Sequence, residues 1–108
     1  MPDIRKLTDA EQIQVLEVKI YEYVMKVKCM VDIGYWQLNK RDYKMMGIPA
    51  KYGKKKIRQA YENLFEKRVM GGPKCGYDSF GIRTFEGLFR GFVLKYTVMK
   101  DKKLREYI

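Results

Sequence analysis

Histidine is absent from this chain of 108 residues. That absence removes serine–histidine–aspartate triads, histidine general bases and nearly all zinc sites. The two cysteines, Cys29 and Cys75, show no Cys-x-x-Cys spacing. They read as free thiols of a reducing compartment, too few for a four-ligand metal cluster. Serine occurs once, at Ser79, with no evident base beside it. Glu17, Glu22, Asp32, Glu62, Glu66 and Glu86 form no evident cluster for Mg²⁺, and no Gly-Lys-Ser/Thr follows Gly71, Gly72 and Gly76. The chain is therefore expected not to be an enzyme and to carry no cofactor or metal. No apolar run approaches the ~20 residues of a membrane span, and the first residues lack a signal-peptide pattern. The expectation is a cytoplasmic protein without a membrane partner, folded as one domain over 1–108, because domains usually run to roughly 100–150 residues.

What is present is apolar and basic. Hydrophobic residues make up 46% and aromatics 14%, too much for a disordered tail. The net charge of +10 is unevenly placed. Residues 1–39 carry −1, residues 40–74 carry +8 and residues 75–108 carry +3. A solvated surface usually interleaves both signs, so the middle third points to a polyanionic partner.

Thr8 and Glu11 have capping-box spacing and announce a first helix, about 9–32. Its apolar positions Ile13, Leu16, Ile20, Val24, Val27 and Val31 recur at steps of 3 and 4. A second strip, Val15, Val18, Tyr21 and Met25, means the helix is either buried on most sides or meets another subunit. Gly34 ends it, and Tyr35-Trp36-Gln37-Leu38 reads as extended. Asn39 with Asp42 starts a short helix over 40–46, closed by Gly47 and turned by Ile48-Pro49. A third helix runs from about Lys54 to Arg68 with Ile57, Tyr61, Leu64 and Phe65 on one face. Val69-Met70 and Tyr77–Ile82 are expected to pair as a hairpin around Gly71–Gly76. A last helix, about 84–99, is capped by Thr84, and residues 100–108 are expected to fray.

The order helix, short strand, helix, turn, helix, hairpin, helix is that of the winged helix-turn-helix. Leu38–Pro49 resembles that family's first helix and its Gly-Ile-Pro turn. Ile57–Met70 resembles its recognition helix, with Glu66-Lys67-Arg68-Val69-Met70 similar to a Glu-Lys-Gly-Leu-Ile exit. The resemblance covers about 35–83, and a C-terminal helix after the wing is similar to that of PadR-like regulators and of winged-helix proteins of archaeal plasmids and viruses. It departs from the pattern between Ile48 and Ile57, where Lys51–Lys56 forms either a longer turn or an extra helical turn. The fold it implies is mostly α with a small β-hairpin (α+β), a winged helix-turn-helix with extra N- and C-terminal helices.

A helix N-terminus attracts phosphate, and Lys54, Lys55, Lys56 and Arg58 strengthen that pull. Base reading needs planar bidentate groups, which on the exposed face are Arg58, Gln59 and Asn63. Lys40, Lys44, Lys51, Tyr52, Lys54, Lys55 and Lys56 are expected on the DNA backbone, and Lys74 and Arg83 in the wing. Phe85, Leu88, Phe89, Phe92 and Tyr96 are expected at a dimer interface, which in similar proteins the terminal helix often makes. The function expected is sequence-specific binding of double-stranded DNA as a homodimer. The role is transcriptional regulation or plasmid partition, the latter with a partner partition protein. The alternative is a winged-helix module that binds protein or RNA without reading sequence.

Overall fold

The computed structural model describes residues 3–27, 38–69 and 85–108. A 3-10 turn, Ile4–Lys6, leads into α1 (Asp9–Val27), α2 (Lys40–Met46), α3 (Lys54–Glu66), α4 (Phe85–Met99) and α5 (Lys102–Arg105). The Thr8–Glu11 capping box forms, with each backbone N–H donating to the other's side-chain oxygen at 3.1 and 3.2 Å.

α1 is the spine. Its residues Val15, Leu16, Val18, Ile20, Tyr21, Tyr23 and Val24 are all buried, so both apolar strips are covered within one chain as far as Val24, whereas Met25 of the second strip is 44% exposed. The α1 partners of α3 are Asp9, to Lys56, and Glu17, to Lys67; those of α4 and α5 are Glu22, to Lys95, and Glu11, to Lys103. At about 100° per residue these two sets lie on roughly opposite flanks of the helix. α3 lays Ile57, Ala60, Tyr61 and Leu64 into the core on its side. Burial of Ile57 and Leu64 contributes about 1.5–3 kcal/mol each by leaving water.

α4 faces the other way from what its composition implies. Its inward stripe is Gly87, Gly91, Leu94 and Val98, while Phe89, Phe92, Val93 and Tyr96 are exposed.

α2 and α3 end in the same closure. Gly47 is left-handed (φ 73°), and the N–H of buried Ile48 donates to the Tyr43 carbonyl at 2.9 Å. Arg68 is left-handed as well (φ 61°), and the N–H of buried Val69 donates to Leu64 at 2.9 Å. Both are Schellman motifs, which normally use glycine at the left-handed position.

Two expectations need correction. The described residues are helical and contain no strand, so the α+β fold with a β-hairpin wing is not what the structure has there. Val69, expected to open the hairpin, instead completes the closing turn of α3 because its N–H is drawn back to Leu64. The remaining hairpin positions, and Tyr35–Gln37 expected as extended, lie outside the described residues. The second correction concerns residues 100–108, which dock rather than fray. Asp101 caps α5, Leu104 is buried, and Lys103 reaches Glu11 at 3.1 Å.

Candidate nucleic-acid interface

The segment between Ile48 and Ile57 contains both a turn and an early helix start. The Tyr52 N–H donates to Pro49 at 2.9 Å, and α3 begins at Lys54. Its N-cap is Gly53, which supplies no side-chain acceptor, and its first turn holds no acidic residue. Lys54, Lys55 and Lys56 form that turn. A helix start leaves its first N–H groups unpaired and partly positive, so cations there work against the helix and favour an incoming anion.

Two hollows flank Lys51–Gly53. One, of about 540 Å³, brings Lys51, Lys55, Lys56 and Gln59 together with Arg5 and Asp9. The other, of about 480 Å³, brings Lys51 and Lys54 together with Lys40. A cationic belt therefore surrounds the start of α3. Within it Lys40, Lys51 and Lys55 are exposed and have no ion pair or side-chain hydrogen bond among the described residues. Lys54 reaches the Leu38 carbonyl at 3.4 Å, and Lys56 pairs with Asp9 at 3.3 Å.

Two of the backbone candidates are not in this exposed belt, although Tyr52 lines both hollows. Tyr52 is buried, and its hydroxyl donates to Gln12 at 2.5 Å; burial pushes its pKa up to about 12. Lys44 lines a third groove, of about 640 Å³, with Lys19, Lys26, Lys95 and the side chains of Met25, Met45 and Phe92. In that groove Lys19 is buried and donates to the Met46 carbonyl at 3.0 Å, capping the end of α2. Burial lowers its pKa, against the pull of Glu22.

The base-reading candidates divide. Arg58 is exposed and pairs with Glu62 at 3.0 Å across one helical turn. Gln59 is exposed, and its Nε2 donates to Oδ1 of Asn63 at 2.9 Å. Asn63 is half-buried, and its Nδ2 donates to Oε2 of Glu17 at 3.1 Å. Glu17 is 2% exposed, and its Oε1 accepts from Lys67 at 2.5 Å. The Asn63 amide is thus engaged on both sides, leaving Arg58 and Gln59 as the planar groups on the outer face.

α2 is anchored to α1 beside this surface. Asp42 closes the capping box with Asn39 and accepts from the Tyr23 hydroxyl. Burial, then the Asp42 carboxylate, pushes Tyr23 up to about 12.

Lys74 and Arg83 lie outside the described residues, as does the side chain of Phe85, which opens α4. Leu88, Phe89, Phe92 and Tyr96 are 39%, 60%, 64% and 56% exposed, and among the described residues they form an exposed, mostly aromatic face, with the Lys100 ammonium 4.6 Å from the centre of the Tyr96 ring.

Arg5 and Glu17 were not among the sequence candidates. Glu17 did carry a signal: it is an acid in phase with Ile13, Ile20 and Val24 on an apolar strip. Arg5 reaches the hollow through the fold alone, with its guanidinium paired to Asp3 at 2.6 Å.

No family model, curated protein or solved structure matches the chain. Among the described residues no helix is long and apolar enough to cross a membrane.

Proposed function

We propose that this chain binds double-stranded DNA, reads its sequence with α3, and works as a homodimer in transcriptional regulation or as a site-binding plasmid partition protein. The observation that carries the reading is the start of α3. An uncapped helix N-terminus, a surrounding belt of Lys40, Lys51, Lys54 and Lys55, and two exposed planar side chains, Arg58 and Gln59, converge there. The lysines supply phosphate attraction without sequence information. Arg58 and Gln59 supply the bidentate groups that distinguish base edges. The α2–Gly47-Ile48-Pro49–α3 segment is the part of the chain that carries the helix-turn-helix resemblance.

The homodimer rests on α4. A helix that turns glycines inward and Phe89, Phe92 and Tyr96 outward makes sense when a second surface covers the aromatics. At 150–250 Å² per aromatic side chain and 56–64% exposure, these three rings offer on the order of 350 Å² per copy, so a stable pair also needs surface beyond them. Two-fold symmetry places two α3 helices on half-sites about 34–36 Å apart.

The test is selection of bound sequences from random duplexes at ~150 mM salt, which suppresses plain charge attraction. A palindrome with half-sites one helical turn apart is expected. Recovery of no motif overturns sequence reading and leaves the basic belt as a nonspecific grip or a docking face.

A further inference from the structure

Gln59, Asn63 and Glu17 form a chain of hydrogen bonds running from the outer face of α3 into the core. Glu17 of α1 lies almost wholly buried, with Lys67 on one oxygen and the Asn63 amide on the other. A carboxylate paired with an ammonium only accepts. Asn63 must therefore present its NH₂ to Glu17 and its carbonyl oxygen to Gln59. Gln59 must in turn present its NH₂ to Asn63. Carboxamide orientation is assigned from its hydrogen-bond network, and here the buried charge sets it along the whole chain. Gln59 is left with its Oε1 free of partners among the described residues, on the exposed face. One Nε2 proton remains beside it.

We propose that Glu17 is a positioning residue for specificity: acting through Asn63, it holds the Gln59 amide with its carbonyl oxygen outward, so that α3 selects adenine and rejects guanine at one position. An outward acceptor beside a donor matches adenine, which offers N6–H₂ and N7 in the major groove. Guanine offers two acceptors, O6 and N7, and would set O6 against Oε1. This inference rests on the DNA-reading function proposed above. It adds the base and the residue that dictates it.

Glu17→Gln makes a sharp test because the two ends of the relay then conflict differently. Lys67 retains the glutamine's oxygen, so its NH₂ faces Asn63. Asn63 then inverts, Gln59 inverts after it, and an NH₂ points outward where an oxygen did. Binding to the selected site and to its adenine-to-guanine variant is measured by fluorescence anisotropy. The wild type is expected to prefer adenine by about tenfold or more. Glu17→Gln is expected to lose that preference and move toward guanine, with little change on random DNA. Loss of a merely structural contact would weaken all sites alike and would not reverse the order. Asn63→Ala, at a half-buried position, cuts the relay without altering the core charge and is expected to abolish the discrimination without reversing it; it serves if Glu17→Gln does not fold.

An unchanged adenine preference in the relay variants overturns the assignment and leaves DNA reading in place. No base preference anywhere in the wild type overturns both. In the free protein, the Gln59 side-chain amide is expected to show slowed solvent exchange by NMR that Asn63→Ala removes. Fast exchange in the wild type also overturns the relay.

Discussion

A Cβ placed on Gly91 would stand 2.0 Å from Cε1 of Tyr21, so α4 meets α1 across bare backbone. The Tyr21 hydroxyl then donates to the Leu88 carbonyl at 3.0 Å, tying the ring to the helix it lies against. Gly87 makes a similar approach, 2.5 Å from such a Cβ to the Val69 carbonyl oxygen. The two glycines bring α4 close to the spine and to the end of α3.

Gly91→Ala is therefore expected to destabilise the protein. Alanine gains up to ~1 kcal/mol in helix propensity. Overpacking against a buried ring costs about 1–3 kcal/mol, so the loss wins or at best balances the gain. Urea unfolding checks this, with a lowered midpoint as the expected result.

Arg68→Gly is expected to act oppositely. Arg68 occupies the left-handed position of the turn that ends α3, where a side chain costs roughly 1–2 kcal/mol. Glycine relieves that cost, against a greater loss of backbone freedom on folding. A net gain of a few tenths to about 1 kcal/mol is expected in the same urea experiment.

Gly53→Asp should separate stability from binding. No atom lies within 4 Å of a Cβ at this N-cap, so the side chain fits. An aspartate would accept from the first-turn N–H groups and stabilise α3 by a few tenths to ~1 kcal/mol. It would also fill the place offered to a phosphate. The expected outcome is a higher melting temperature with weaker DNA binding; tighter binding would remove the start of α3 from the interface.

Phe89→Asp and Phe92→Asp are expected to give folded monomers, because both side chains are more than half exposed on the single chain. Sedimentation and circular dichroism read the two properties separately. A folded dimer in both variants would take α4 out of the interface.

Alkaline pH should unfold the protein as its tyrosines ionise. Tyr23 and Tyr52 are raised from 10.0 to about 12 in the fold, burial being the main cause. The folded state keeps these protons between pH 10 and 12 while the unfolded chain releases them. Their contribution to stability is thus complete below pH 10 and lost as pH rises through that window, at about 1.4 kcal/mol per pH unit for each group. Tyrosinate absorbance should rise together with loss of helical dichroism.

Local chemistry was legible in the sequence, and contacts at a distance were not. α2 was readable to its ends because Asn39, Asp42 and Gly47 act within a few residues of one another. The capping box of α1 is equally local. Tyr52 looked like part of a polar loop because its partner, Gln12, lies 40 positions away. The terminal segment looked free because Lys103 finds Glu11 across 92 positions. The left-handed turn at Arg68 hid behind a residue that rarely adopts it. Its effect was to turn Val69 back toward α3 where a strand had been expected. Arg58 and Gln59 were legible as exposed residues, but the engagement of Asn63 depends on a carboxylate from another helix.

The inverted stripe of α4 has a thermodynamic consequence. A helix whose inner face is half glycine withdraws less apolar surface from water when it closes on its own chain than one lined by larger side chains. If a second copy covers its aromatics, a sizeable part of the free energy that holds α4 in place comes from association. Association then adds to the stability of a monomer that also folds alone, and the midpoint of thermal unfolding rises with protein concentration. On dilution, α4 would be the first element to lose its hold.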